Sequence, residues 1–158
     1  MLSFKKLSVT FNIKVNNGDS LSFFRTFDFY KVAGHSMEPL LDEGSLILCS
    51  KNLDDLKRSD VVIFNRELDT KSEIKRIIGL PNENIEIVDG LLLINERMPE
   101  DDFSFNFPLN LSNEVNQWKL ANDQYYVIGD NILDSTDSRV YGPIHESQIS
   151  AKFICKIW

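Results

Sequence analysis

The sequence predicts an all-β, coil-rich chain curled into a partly closed barrel, and three observations carry that expectation. Short apolar or alternating segments recur along the chain, with turn residues between them. No segment of 12 or more residues keeps a helical period, apart from a turn or two near Met37 to Leu41. Apolar content of 42%, with 7 glycines and 5 prolines, is that of an ordinary globular protein. At 158 residues the chain fits one domain, residues 1–158, large enough to bury a core without disulfides or metal.

The elements follow in order. Leu7 to Ile13 alternates apolar and polar residues, and Asn16-Asn17-Gly18-Asp19 turns the chain into the aromatic-rich run from Leu21 to Val32. Further strands are expected at Ser45 to Cys49, Val61 to Phe64, Glu73 to Ile78, Asn84 to Val88, Leu91 to Asn95, Tyr125 to Ile128 and Ile149 to Trp158. Pro99 to Lys119 is polar, Asn-rich and aperiodic, and reads as a loop or insertion. Phe23, Phe24, Phe27, Phe29 and Tyr30 read either as core or as an apolar lip that grips an extended peptide or touches a bilayer.

Charge and special residues narrow the function. The 24 acidic residues exceed the 17 basic ones, giving a net charge of −7, whereas sequence-independent nucleic-acid binding needs a basic surface. Cys49 and Cys155 lie in apolar runs and read as buried small hydrophobes. His35 and His145 have no partners at ligand spacing, so no metal and no cofactor is expected. With neither an apolar run long enough for a membrane span nor a secretory leader at Met1 to Lys6, the chain reads as soluble and cytoplasmic, peripheral membrane contact being left to Phe23, Phe24, Phe27 and Phe29.

The chemistry centres on Gly34-His35-Ser36-Met37-Glu38-Pro39. Pro39 fixes the local backbone, so a turn here would hold the Ser36 hydroxyl and N–H in one orientation, while Gly34 leaves room for another chain. An acyl-transfer site needs those features: an exposed hydroxyl, space for a substrate backbone and a backbone donor for the oxyanion. Neither histidine is placed to serve as base. The best candidate is Lys75, in Ile74-Lys75-Arg76-Ile77-Ile78-Gly79, because Ser-Lys pairs are a known variant of the triad. A free lysine titrates near 10.4, so any lysine kept neutral at pH 7 carries a penalty of about 4 to 5 kcal/mol, which desolvation can supply. On a strand Lys75 shares its face with Glu73 and Ile77 and could be sealed against apolar packing, with Arg76 on the other face as a structural residue. The loop from Gly129 to Pro143, GDNILDSTDSRVYGP, is dense in small polar and charged groups and reads as hydrogen-bonded.

Five segments in order now carry a resemblance: Ser36-Met37-Glu38-Pro39-Leu40-Leu41, Arg58 to Phe64, Lys75 to Pro81, the hairpin Val88-Asp89-Gly90 with Ile94-Asn95, and the Gly129 to Gly142 loop. The ending from Ser150 to Trp158 is similar too. The chain resembles the type I signal peptidases, Ser-Lys endopeptidases of the S26 kind, whose β fold is shared with LexA-like proteins. The resemblance implies that Ser36 attacks the scissile carbonyl and that neutral Lys75 takes its proton. Ser135 matches the residue that orients the lysine, Asp137 and Arg139 the pair that braces the site, and Gly129, Asp130 and Asn131 the loop beneath it. Substrates would be extended leader or propeptides of protein substrates, with small residues, often alanine, one and three positions before the cut.

Departures accompany the matches. Gly34 stands where some members carry a serine that donates to the oxyanion, leaving the hole to the Ser36 N–H. Ile132 replaces a frequent arginine, and Asn82-Glu83 replaces the usual Gly-Asp after Pro81. The family's usual N-terminal anchor has no counterpart, which opens two neighbouring readings: a soluble maturation protease with one client, as for nickel superoxide dismutase, and a LexA-type self-cleaving regulator. A non-catalytic peptide-binding module is the alternative outside enzymology.

Overall fold

The computed structural model describes residues 5–16, 22–66, 71–99 and 116–158, with side chains described for 27–66, 71–99 and 117–158. Eleven strands are described: β1 (Lys5–Asn16), β2 (Ser22–Lys31), β3 (Leu46–Ser50), β4 (Val61–Phe64), β5 (Glu73–Gly79), β6 (Asn84–Val88), β7 (Leu91–Ile94), β8 (Asn116–Lys119), β9 (Gln124–Ile128), β10 (Ile144–His145) and β11 (Ile149–Lys156). One short helix, α1 (Ser138–Tyr141), and 3-10 turns at Ile132–Asp134 and Glu146–Gln148 complete the described elements. The strands form an eight-stranded sheet ordered β1-β2-β3-β11-β4-β5-β9-β10 and a three-stranded sheet ordered β7-β6-β8. All named pairs are antiparallel.

The large sheet is a curled half-barrel, and its register shows where it bends. Pairing slips between Leu7 and Phe11, between Ile77 and Gly79, and twice along β11, at Ile149/Ala151 and Phe153/Cys155. Each irregularity places unequal lengths of backbone opposite one another, which increases local twist and bends the strand.

β4 explains why Val61-Val62-Ile63-Phe64 is an unbroken apolar run: all four residues are buried, so both faces of this strand are interior. Val62 and Phe64 pack with Ile77, Val127, Ile144 and Ile149. Val61 and Ile63 join Ile74, Tyr30, Met37, Leu41 and Ile47 in a second cluster. A third cluster, including Ile78, Ile85, Leu120 and Tyr126, fastens the small sheet to β5 and β9. Gly79 permits that approach, because a Cβ there would lie 2.7 to 2.9 Å from Ile85 and Leu120 side-chain atoms.

The expected strands all form, with ends shifted by a few residues. The chain turns from Met37 to Leu41 through a Leu41 N–H to Met37 carbonyl bond of 2.9 Å, where a turn or two was expected. Some elements were not foreseen: β8 at the end of the stretch read as a loop, α1 and the 3-10 turn Ile132–Asp134 inside the polar loop, and β10 with the 3-10 turn Glu146–Gln148 that follows it. Residues 100–115 of that stretch lie outside the described residues. Of the aromatic group, Tyr30 is buried and Phe27 and Phe29 are half-buried, while the Phe23 and Phe24 side chains lie outside the description. Among the described residues no helix is long and apolar enough to cross a membrane.

Candidate active site

Ser36 and Lys75, 39 positions apart, meet: Lys75 Nζ lies 2.7 Å from Ser36 Oγ. Ser36 sits at the head of the turn between β2 and β3, after Gly34 at φ +90°, a left-handed conformation that suits glycine. Lys75 lies in the middle of β5, opposite Val62 of β4. Residues directly opposite on antiparallel strands share a face, so Lys75 projects on the side of Val62, Phe64 and Ile77, all wholly buried. Lys75 is itself 0% exposed. Burial in that apolar setting holds its pKa below the ordinary lysine range, against the opposing pull of Glu73 and Asp137.

The sequence reading asked for an exposed nucleophile, and here the structure differs: Ser36 is only 2% exposed. The turn is roofed from the polar loop. The Asn131 N–H donates to the Ser36 carbonyl (3.0 Å), and Asn131 Nδ2 donates to the His35 carbonyl (3.1 Å). Gly129 makes this closeness possible, since a Cβ there would lie 2.2 Å from Ser135 Oγ and 2.5 Å from the Ser36 carbonyl oxygen.

Two ion pairs brace the loop. Asp137, wholly buried, accepts from the Gly129 N–H (3.0 Å), Ser135 Oγ (2.7 Å), and Arg139 Nε and Nη2 (2.7 and 2.8 Å). It also caps α1 by accepting from the Arg139 N–H. Arg139 donates onward to the Ile132 and Ser135 carbonyls. Asp130 takes both arms of Arg76 at 2.7 and 2.6 Å, and Arg76 donates its remaining arm to the Ser59 carbonyl. The loop is thereby tied both to itself and to the strand that carries Lys75.

The candidates from the sequence are brought together here by these contacts, and two of them have partners that the sequence did not indicate. Ser135, expected to orient the lysine, directs its hydroxyl to Asp137. Arg76 is more than a generic structural residue, because it is the counter-ion of Asp130. The departure at Asn82 has a physical explanation: its φ of +67° is the left-handed region that asparagine tolerates best after glycine. Glu83 beside it accepts from the Leu80 N–H and pairs with Arg58 at 2.6 Å. The histidines take other parts: His35 lies 2.6 Å from Glu38, which holds its pKa above the usual imidazole value, and His145 lies 3.0 Å from Asp123.

One pairing around the lysine was missed. Glu73, two residues before Lys75, receives Arg66 Nε at 2.5 Å, and the Arg66 guanidinium lies 4.4 Å from the centroid of the Tyr141 ring. The shared face of Glu73 and Lys75 was legible from strand alternation. Arg66 carried no signal.

Comparison with known proteins gives the family and the fold. The family described as signal peptidase, peptidase S26, matches residues 20–158. Signal peptidase I V of Bacillus subtilis is 33% identical over 157 residues, covering 90% of this chain and 89% of the relative. Signal peptidase I T of the same organism is 35% identical over 141 residues, covering 81% and 73%. Among solved structures, a signal peptidase I from Enterococcus faecalis V583 superposes with a TM-score of 0.52 at 22% identity, covering 66% of this chain and all of that one. That likeness speaks to the fold.

Proposed function

We propose, on the premise that this chain belongs to the signal peptidase family, peptidase S26, and is a serine endopeptidase that removes signal peptides, that Ser36 is its nucleophile and Lys75 its general base. The observation that carries the assignment is the 2.7 Å approach of Lys75 Nζ to Ser36 Oγ with both residues buried. At that distance the Ser36 hydroxyl can donate to a neutral amine, and desolvation favours the neutral form.

In this reading Ser36 Oγ attacks the scissile carbonyl as its proton passes to Lys75 Nζ. The negative oxygen of the tetrahedral intermediate is met by the Ser36 N–H, whose direction is fixed by the turn. The Lys75 ammonium then protonates the departing amine, leaving an acyl-enzyme on Ser36. A water molecule, deprotonated by the regenerated amine, releases the leader and restores the serine. Asp137, Arg139, Asp130 and Arg76 act at one remove, holding the loop whose Asn131 grips the nucleophile turn. Ser135 acts through Asp137. Specificity for small residues one and three positions before the cut belongs to the same proposal.

Incubation of the purified chain with a peptide carrying an Ala-x-Ala leader tests it. Cleavage after the second alanine is expected, with none in Ser36→Ala; cleavage by Ser36→Ala at the parent rate would overturn the assignment. Gly129→Ala should fall by about 10²-fold in kcat/KM, because the added methyl meets backbone at Ser36 and must displace the turn. Parent-like kinetics in that variant would show that the loop does not position the nucleophile.

A further inference from the structure

Lys75 is wholly buried, yet it has a carboxylate for a neighbour on its own face. Glu73 and Lys75 are two apart on β5 and so project to the same side, opposite Phe64 and Val62. An unopposed carboxylate there would favour the ammonium form and work against a neutral base. Glu73 is not unopposed: its side chain is 13% exposed and its Oε1 receives Arg66 Nε at 2.5 Å. Arg66 is placed for this from outside the strand. Its carbonyl accepts from Gln148 Nε2 (2.7 Å), the preceding Asn65 N–H donates to the Gln148 carbonyl, and its guanidinium lies over Tyr141 of α1.

We propose that the Arg66–Glu73 pair is a positioning pair for the base, a charge lever that sets the pH at which Lys75 becomes active. This rests on the Ser36–Lys75 reading above. Glu73 alone would favour the proton on Lys75, and Arg66 offsets part of that pull by sitting on the carboxylate. Among the described residues, the other groups facing the lysine are the Ser36 hydroxyl from the nucleophile turn and the Asp137–Arg139 pair from the loop and α1, an anion with a cation of its own beside it. Tyr126 of β9 and Tyr141 of α1 also face this region, and burial raises both phenols, so they carry no charge near neutrality. Arg66 and Glu73 are thus the charged pair at this lysine open to change without dismantling the Gly129 to Gly142 loop. Arg66 is 43% exposed on its side chain, and Glu73→Gln keeps size and shape.

The test is the acid limb of the kcat/KM–pH profile on an Ala-x-Ala leader peptide, which reports the base in the free enzyme. Glu73→Gln removes the anion and leaves the cation, so the limb should move to lower pH, by about 0.5 to 1 unit. Arg66→Gln leaves the anion unmatched, so the limb should move to higher pH by a similar amount. The double variant should return close to the parent. Shifts of opposite sign distinguish a charge effect from loosened packing, which would rehydrate Lys75 and move both variants to higher pH. Limbs that coincide with the parent in both variants, or that move the same way, overturn the lever. Lys75→Ala measured alongside separates the two levels: if it is inactive while the limbs stay fixed, the lever fails alone, and if it keeps parent activity, the underlying assignment fails first.

Discussion

Lys75→Met should cleave leader peptide at least about 10³-fold more slowly than the parent chain and yet resist denaturant better at pH 7. The two effects share a cause. Methionine is close to lysine in length, so the burial opposite Val62 is preserved while the proton acceptor disappears. The stability change follows from linkage. The folded chain holds the lysine pKa below its ordinary value, so between the two values the unfolded chain binds the extra proton. The lysine therefore subtracts stability below its unfolded pKa, and the deficit disappears as pH rises past it. Replacing it should stabilise the fold at neutral pH by on the order of 1 to 4 kcal/mol, comparable to the gain when a buried ion pair gives way to well-packed apolar residues. Urea unfolding at pH 7 and pH 10 measures this, with a smaller gain at the higher pH. A less stable Lys75→Met at pH 7 would mean that the lysine is not held in its neutral form.

Asp137→Ala should act in the opposite direction, costing about 3 to 5 kcal/mol. Its carboxylate is wholly buried and accepts from Gly129, Ser135 and three donors of Arg139, while the Arg139 side chain is only 10% exposed. Removing the anion leaves a nearly buried guanidinium without that counter-ion and deprives α1 of its cap. Chemical denaturation checks the loss. The Asp137→Ala/Arg139→Met double variant should recover part of it, because the guanidinium charge that faced Asp137 is then gone as well. A single variant within 1 kcal/mol of the parent, on the order of an exposed pair, would show that this pair is not the brace described.

How far the sequence carried depended on how local each signal was. Alternation placed Lys75 and Glu73 on one face, the apolar run at Val61 became a wholly buried strand, and that at Ile149 became a strand buried only at Ile149 and Ala151. Ser36, Lys75 and the Gly129 to Gly142 loop were legible as segments, each with its own residue pattern. Their mutual contacts were not. Asp130 meets Arg76 across 54 positions and Asn131 reaches the His35 carbonyl across 96, distances over which no periodicity operates. The burial of Ser36 was missed for the same reason, since the roof over the turn comes from the far end of the chain. β8 escaped because Asn116-Gln117-Trp118-Lys119 is four residues with one apolar side chain. It earns its place by tertiary contact, with the Trp118 ring against Gly142, where a Cβ would lie 3.0 Å from it. α1, at four residues, is too short to show a helical period.

The strand order carries a consequence for how this molecule comes into being. β11 lies between β3 and β4, so the sheet that joins the serine-bearing turn to the lysine-bearing strand is bridged by the latest of its strands in the chain. During translation, Ser36 and Lys75 both leave the ribosome long before Ile149 to Lys156 is made, and until then the two halves of the sheet have no strand between them. A nascent chain at that stage holds Ser36 and Lys75 on two runs of the sheet that β11 has yet to join.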